Sequence, residues 1–370
     1  MKGRIIKVFP GGNTSEGFYS YYSFLLEKGT KRIFVIKGGP GVGKSTLMKK
    51  IGQKMVDQGY DVEFHYCSSD NNSLDGIAVL NTGVVMVDGT APHIVDPKYP
   101  GGLDEIVNMG EYWNVDGMQI LRDKIIASTN EVSRLFTRAY SFLKSARTIA
   151  DNISVMHQSC MDYAGANKIS GILQSMLDGT YRREKIGRER HLFSCAYTPG
   201  GFVDFTDSIM PDLAKVYYLE GNMGTGKTTL MQKIVSSAVE KGLNVEIYHT
   251  PLMPRKIGAI IIKELNIAIT TSEKFKSKNE ATINLDQYLD KKMIASFREV
   301  IEDDSQLLQS LINKGIDNIR QAKEEHDALE QYYVPNMNFA AANEKYEEIL
   351  SRIFDLVDNK TMAASTNNYN

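Results

Sequence analysis

Residues 38–45 read Gly38-Gly-Pro-Gly-Val-Gly-Lys-Ser45 and closely follow the apolar run Arg32-Ile-Phe-Val-Ile36. The stretch fits the pattern G-x-x-x-x-G-K-[ST], which is typical of a phosphate-binding loop between a buried strand and a helix. Glycines let the backbone take positive φ and approach a phosphate closely. Successive N–H groups and the following helix N-terminus then form a cradle for an anion. The helix itself is indicated by apolar residues at helical spacing, namely Leu47, Met48, Ile51 and Met55.

The chain contains the same device twice. Residues 221–228 read Gly221-Asn-Met-Gly-Thr-Gly-Lys-Thr228, after the run Val216-Tyr-Tyr-Leu219 and before another set of apolar residues at helical spacing. Because two chance matches in one chain are far rarer than one, the sequence predicts a nucleotide-binding protein.

Both loops predict the same ligand contacts. Lys44 and Lys227 can reach the β- and γ-phosphates, and the hydroxyls of Ser45 and Thr228 can ligate Mg²⁺. The expected ligands are ATP and Mg²⁺, because the guanine-reading pattern N-K-x-D is absent. The predicted nucleotide contacts are Gly38, Gly39, Pro40, Gly41, Val42, Gly43, Lys44, Ser45, Thr46, Gly221, Asn222, Met223, Gly224, Thr225, Gly226, Lys227, Thr228 and Thr229.

Similarity between the two parts of the chain extends beyond the loops, which indicates an internal duplication. We therefore divide the chain into halves 1–183 and 184–358, followed by a flexible tail at 359–370. The matching stretches are Phe9–Phe18 with Phe193–Phe202, Gly59–Tyr66 with Gly242–His249, and Met161–Asn167 with Met337–Asn343.

The expected fold class is α/β, with two tandem P-loop NTPase domains, each a parallel sheet flanked by helices. In the first half the strands 62–66 and 84–87 alternate with a helix, and such alternation favours a parallel sheet. Ligands then bind at the carboxyl ends of the strands. Helical spacing without strand signals predicts an appended helical part at about 116–178 and another at about 285–356.

Asp88 is the predicted second metal-organising residue, because it ends the apolar strand Val84–Val87 beside the first loop. The alternative is that Asp88 only begins the turn Asp88-Gly89. No glutamate follows Asp88, so we do not expect fast hydrolysis. His93 and Thr90 are candidates for positioning water near the γ-phosphate, with surface packing as the alternative for His93. The polar residues after the second strand could orient water or a co-substrate, or simply cap turns; they are Ser68, Ser69, Asp70 and Asp75.

The second half differs where a metal would be held. Its corresponding strand, Asn266-Ile-Ala-Ile269, is followed by Thr270-Thr-Ser272, and Glu273 comes too late in the chain to replace the acid. We therefore expect a second site that binds nucleotide and hydrolyses it slowly or not at all. Tyr248 and His249 could contact ligand or only pack. One arginine near the boundary of the halves could act as an arginine finger, although a solvated linker is favoured; these are Arg182, Arg183, Arg188 and Arg190.

Composition narrows the class of protein. With 370 residues, 42% hydrophobic and 24% charged, the chain resembles an ordinary globular protein long enough for two cores. A net charge of −2 gives no basic field, so nucleic acid is not a favoured partner. No apolar run long enough for a membrane span and no signal-peptide pattern occur. Cys67, Cys160 and Cys195 are too widely spaced for a disulfide framework, which suits the cytoplasm.

With both loops, the stretch Cys67–Gly76 and the stretch Asp88–His93, the chain resembles a family of bacterial tandem P-loop ATPases, whose members are mostly described as ATPases or nucleotide-kinase-like proteins. The leading hypothesis is a slow or regulated ATPase with a competent first site, in which Lys44, Asp88 and His93 are catalytic, and a degenerate second site. One alternative is a nucleotide or small-molecule kinase. The other is a non-catalytic nucleotide sensor that acts on a protein partner through its helical parts.

Overall fold

The computed structural model describes residues 1–25, 29–90, 94–175, 177, 185–210 and 215–366, with backbone alone at 175 and 358–366. The predicted residues His93, Arg182 and Arg183 lie outside these ranges. The strands are β1 (Ile5–Val8), β2 (Gly11–Thr14), β3 (Gly17–Ser20), β4 (Arg32–Lys37), β5 (Val62–Cys67), β6 (Asp70–Val79), β7 (Val84–Asp88), β8 (Asp104–Asn108), β9 (Glu189–Phe193), β10 (Cys195–Thr198), β11 (Gly201–Asp204), β12 (Lys215–Glu220), β13 (Val245–His249), β14 (Ile257–Ile262), β15 (Ile267–Thr270) and β16 (Ala281–Asn284).

The helices include two very long ones, α3 and α8. Several short 3-10 turns complete the secondary structure. The helices are α1 (Lys44–Asp57), α2 (Val115–Ile120), α3 (Arg122–Ser159), α4 (Tyr163–Ser175), α5 (Thr206–Ile209), α6 (Lys227–Glu240), α7 (Lys291–Ser296), α8 (Arg298–Tyr333) and α9 (Phe339–Thr366). The helix α9 includes the first part of the segment predicted as a flexible tail.

The chain forms two compact α/β units, and neither is continuous in sequence. The first unit contains Met1–Pro10, Ser20–Phe136 and Ile319–Asn370. The second contains Gly11–Tyr19 and Thr137–Asn318. The units therefore do not follow the halves 1–183 and 184–358 that the sequence repeat defines.

A six-stranded mixed sheet forms the centre of the first unit, in the order β1-β5-β6-β7-β4-β8. The strand β6 pairs antiparallel with both β5 and β7, whereas the other pairs are parallel. The predicted parallel sheet is thus wrong at this strand. The reason is that a tight turn at residues 68 and 69 leads directly from β5 into β6, and a short connection can join only antiparallel neighbours.

The sheet of the second unit has the equivalent order when read in the opposite direction, β16-β12-β15-β14-β13-β9. Here β14 is the antiparallel strand, between β13 and β15. The sequence repeat is therefore matched by a repeat in strand order, including the strand that breaks the parallel pattern.

Each core is completed by a helix from the other half of the sequence. In the first unit, residues of α9 such as Ile349 and Ile353 join the apolar cluster formed by α1 and the sheet. In the second unit, Leu173 of α4 joins the cluster formed by α6 and its sheet. The helices α3 and α8, with 38 and 36 residues, deliver these segments. At 1.5 Å per residue each helix is roughly 55 Å long.

The segments that each half of the sequence contributes to the other half's sheet, α4 and α9, are joined to it by equivalent contacts in both units. In the first unit Asn338 N donates to Tyr112 O at 2.9 Å, and Trp113 pairs with Met337. In the second, Asp162 N donates to Tyr288 O at 2.8 Å, and Leu289 pairs with Met161. Met161 and Met337 begin the stretches that the sequence repeat matched, so the duplication includes the exchanged segments.

Among the helices of the described ranges, none combines the length and apolar character needed to cross a membrane.

Candidate functional site

The two glycine-rich loops, residues 38–45 (the first loop) and 221–228 (the second loop), adopt the same backbone conformation. In the first loop φ is 152° at Gly38, 68° at Gly41 and 87° at Gly43. At the equivalent glycines of the second loop, 221, 224 and 226, φ is 154°, 89° and 98°. Each loop connects a buried strand of its sheet to a helix that begins at the loop lysine. Their N–H groups are therefore arranged alike.

Both loop lysines fold back over their own loops. Lys44 Nζ donates to the carbonyl oxygens of Gly38 and Gly39, each at 2.8 Å. Lys227 Nζ donates to Gly221 O and, at 2.8 Å, to Asn222 O. Burial lowers the pKa of Lys227 to about 8, against the opposing effect of the nearby Asp286 carboxylate.

Asp88 lies beside the first loop because β7 is the direct neighbour of β4 and its register pairs Ile36 with Asp88. One carboxylate oxygen, Oδ1, accepts hydrogen bonds from the backbone N (2.9 Å) and the hydroxyl of Thr90. The other, Oδ2, lies 3.6 Å from Lys44 Nζ. Asp88 therefore begins the turn and also lies beside Lys44, and its role in holding a metal stays a prediction.

The Ser45 hydroxyl also faces this edge of the sheet. Its Oγ accepts a hydrogen bond from Leu74 N on β6 at 2.9 Å. A hydroxyl oxygen has a second lone pair, so this contact leaves room for one further partner. In the described ranges no cluster of three His, Cys, Asp or Glu side chains is arranged to hold a metal by itself.

Asp75 is brought next to Asp88 by the antiparallel strand β6. The β6–β7 register pairs Gly76 with Val87, so the next positions, Asp75 and Asp88, lie opposite each other on one face. Asp75 is 4% exposed. Burial, followed by the charge of Asp75, raises the pKa of Tyr22 and that of Cys67 well above their usual values. Both groups therefore stay protonated near neutral pH beside this carboxylate.

Tyr22 was not predicted as a site residue, because it belongs to no recognisable motif. It lies in a short 3-10 turn after β3. The other polar residues predicted here serve the turn itself. Asp70 accepts hydrogen bonds from Asn72 N at 2.9 Å and Ser73 Oγ at 2.8 Å, and it lies 3.5 Å from Lys323. Ser68 is buried.

The second loop has no acid at the equivalent strand tip. The β12–β15 register pairs Tyr218 with Thr270, so Thr271 follows at the place that Asp88 takes in the first unit. Its hydroxyl donates to Gly258 O at 3.0 Å. The nearby carboxylate is Asp286, whose two oxygens accept from the backbone N (2.7 Å) and the side-chain Nδ2 (3.0 Å) of Asn222. Glu273 begins a 3-10 turn after the strand.

The remaining predicted residues of the second half lie in the sheet or just before its edge strand. Tyr248 is buried, and its hydroxyl donates to Glu246 Oε2 at 3.1 Å. Arg190 lies in β9, with Nη1 at 3.6 Å from Glu246 Oε1. Arg188 donates its backbone N to Asn244 at 3.2 Å.

His249 pairs with a second histidine. Its Nε2 lies 2.9 Å from His191 Nδ1, and the two rings stack with centroids 5.1 Å apart. Burial, and next the proximity of His191, lowers the pKa of His249 to about 3. Burial likewise lowers the pKa of His191, against the effect of Glu189. Both rings are therefore neutral at physiological pH.

This pair predicts a specific loss of stability in acid. An unfolded His249 takes up a proton below about pH 6.5, whereas the folded one resists protonation until about pH 3. Between pH 6.5 and about 3, each pH unit of acidification should then lower the free energy of unfolding by up to about 1.4 kcal/mol. We expect His249→Asn to reduce the slope of stability against pH between 6.5 and 4, measured by urea unfolding. An unchanged slope would contradict the assignment.

The end of a long helix packs against each loop, α3 against the second loop and α8 against the first. In the second unit, a Cβ added at Gly224 would lie 2.2 Å from the backbone oxygen of Ser154 on α3. In the first unit, a Cβ at Gly41 would lie 3.0 Å from the side chain of Val334, and one at Gly39 would lie 2.7 Å from the ring of Tyr333. The loop conformation is thus supported in each unit by a segment that the other half of the sequence supplies.

The fold and the loops define an α/β protein with two related sheet-based units. A family model described as Nephrocystin 3, N-terminal, matches residues 19–85, which include the first loop. This match covers much less than half of the chain and does not establish membership of that family. No curated protein and no solved structure matches the chain. The resemblance to bacterial tandem P-loop ATPases therefore stays an interpretation of the sequence.

Proposed function

We propose that the chain is a P-loop nucleotide-binding protein that slowly hydrolyses ATP·Mg²⁺ at the first loop and binds nucleotide without comparable turnover at the second. One observation carries the proposal: both loops share one backbone conformation with a lysine over the loop, but only Lys44 has a strand-tip carboxylate beside it. Shared loop geometry supports binding at both places. The single acid supports turnover at one.

In this proposal different residues of the first loop bind the phosphates and the metal. The N–H groups of residues 41–46 hold the phosphates, and Lys44 leaves the loop carbonyls to contact the β- and γ-phosphates. Ser45 Oγ and the Asp88 carboxylate would hold Mg²⁺, since both are hard oxygen ligands of the kind that the ion prefers. When bound, the ion neutralises charge on the phosphate oxygens.

Asp75 is our candidate for orienting the attacking water. It is buried opposite Asp88, and Tyr22 and Cys67 beside it are protonated. A carboxylate next to the reacting phosphate can accept a proton or hold water in line. Because no glutamate follows Asp88, we assign the slow rate to this less direct arrangement. If a metabolite replaced water, the same residues would support the kinase alternative.

Trp113 gives a direct test, because it is the only tryptophan of the chain and lies beside the first loop, within 3.2 Å of a Cβ at Gly39. We expect ATP with Mg²⁺ to change its fluorescence and to yield ADP and phosphate slowly. Lys44→Ala should abolish both signals. Lys227→Ala should leave the fluorescence change in place and mainly lower affinity at the second loop or stability.

The same assay separates the alternatives. Release of ADP without free phosphate, only when a metabolite is added, would favour the kinase. Tight ATP binding without ADP release would favour the sensor. Unchanged Trp113 fluorescence together with no retained nucleotide would refute the proposal.

A further inference from the structure

The strand registers allow the two sheet edges to be compared position by position. In the first unit β5 and β6 pair Tyr66 with Leu74 beside a bulge. In the second, β13 and β14 pair His249 with Ile257 beside a bulge at the same place. Leu74 and Ile257 are therefore equivalent, and the residues on either side of them can be matched directly.

Three matched positions in and beside the antiparallel strand and at the tip of its neighbour lose two acids and gain a lysine in the second unit. The pairs, first unit before second, are Asp75 and Gly258, Asp88 and Thr271, and Ser73 and Lys256. At the positions of the first unit's two acids the second unit thus has no acid, and it has Lys256 beside them. On the other side of the edge the changes run the other way, since Lys37 is matched by Glu220 and Gly110 by Asp286.

Lys256 is also within electrostatic range of the second loop. Burial lowers the pKa of Lys227, the charge of Asp286 opposes this shift, and the charge of Lys256 adds a smaller lowering. Lys256 is itself half-buried. Burial lowers its pKa, Asp151 opposes this shift, and Arg147 of α3 adds to it. Arg147 is engaged by Glu16, with Nη1 at 2.8 Å from Oε1. Two partly desolvated ammonium groups, those of Lys227 and Lys256, therefore lie within electrostatic range of each other. Such a pair favours binding of a polyanion.

In the described part of the second unit, this edge offers Mg²⁺ no carboxylate at the position of Asp88. The Thr271 hydroxyl donates to Gly258 O, and Asp286 is held by Asn222 through both oxygens. The carboxylate next to the strand tip, Asp204, is also engaged through both oxygens, by Thr206 N at 2.7 Å and Ser272 Oγ at 2.6 Å. Thr228 alone is a weak, uncharged ligand for the ion.

We propose that the second loop binds nucleotide phosphates without a divalent metal, and that Lys256 supplies the positive charge that Mg²⁺ supplies at the first loop. This inference rests on the proposed function and replaces the sequence expectation that Thr228 ligates Mg²⁺. It makes the two sites different in ligand as well as in rate: the metal complex of the nucleotide at one, the free nucleotide at the other.

The test uses the full chain carrying Lys44→Ala, so that binding is confined to the second loop, and it measures ATP binding by calorimetry with excess Mg²⁺ and with EDTA. We expect the two Kd values to agree within about threefold. Adding Lys227→Ala should remove binding in both conditions, which assigns the signal to this loop. Weakening by about tenfold or more in EDTA would overturn the inference.

Further variants in the same background test Lys256 itself. Lys256→Ser, which installs the first unit's residue type, should weaken binding in EDTA by about tenfold or more. Lys256→Arg should retain it. The control is Lys215→Ser, an exposed lysine at the start of β12, which should change nothing. Equal affinities for Lys256→Ser and Lys215→Ser would overturn the inference.

These outcomes are independent of the ATPase proposal. Loss of ADP release from the unmodified protein would refute slow hydrolysis at the first loop and leave the binding measurement intact. Failure of the Lys44→Ala chain to bind ATP in either condition would overturn this inference and leave turnover at the first loop intact.

Discussion

Replacing Asp88 by asparagine is expected to lower the rate of ADP release by about 100-fold. The change keeps the shape of the side chain and its turn with Thr90 but removes the charge that lies 3.6 Å from Lys44. A metal held through that carboxylate would lose its charged partner. Steady-state ADP release at saturating ATP and varied Mg²⁺ measures the effect.

The control for this variant is Asp123→Asn, at a side chain that is 94% exposed. It should retain the rate of the unmodified protein. If both variants lost turnover equally, Asp88 would have no special role. If neither did, the strand-tip acid would serve only the turn.

Replacing Gly224 by alanine is expected to destabilise the protein by about 3 kcal/mol or more. The left-handed conformation at φ 89° costs a residue with a Cβ roughly 1–2 kcal/mol. The Cβ would also lie 2.2 Å from a backbone oxygen of α3, which cannot rotate away as a side chain would. Such overpacking adds roughly 1–3 kcal/mol. Chemical unfolding followed by circular dichroism measures the sum.

Two other glycines separate the contributions. Gly226→Ala meets no atom within 4 Å, so it should show the backbone cost alone. Gly41→Ala, at the equivalent position of the first loop, meets a side-chain methyl of Val334 at 3.0 Å rather than a backbone oxygen at 2.2 Å, and should fall between the two. Equal losses at Gly224 and Gly226 would show that the contact with α3 carries no weight.

The loops and their flanking elements follow from local sequence. Glycine spacing indicates where positive φ is allowed, and apolar periodicity predicts the helix that follows, which is α1, Lys44–Asp57. The position of Asp88 beside Lys44 required only that its strand neighbour β4. Its role in turnover stays a prediction.

The antiparallel strand β6 was missed because half of it reads as a turn. Its first residues, Asp70 to Ser73, are polar and give no strand signal, and of these only Asp70 pairs with β5, opposite Cys67. The sequence placed Asp75 at the carboxyl edge of the sheet on the assumption of parallel strands. It lies at that edge for a different reason, as a residue in the middle of the antiparallel strand β6, just before the regular pairing with β7 begins at Gly76.

The exchange of helices could not be predicted locally. Apolar residues at helical spacing in α4 and α9 indicate that one face of each helix is buried, but not against which sheet. The structure shows that α3 and α8 each begin in one unit and end in the other.

This exchange has a consequence for synthesis of the protein. Domains ordinarily fold as they emerge from the ribosome, with the N-terminal one first. Here the sheet that carries the first loop lacks part of its core until residues after 319 have been made, because Ile349 and Ile353 belong to that core. The unit built mainly from residues 137–318 can close earlier. The earliest-translated sheet is therefore among the last parts of the chain to mature.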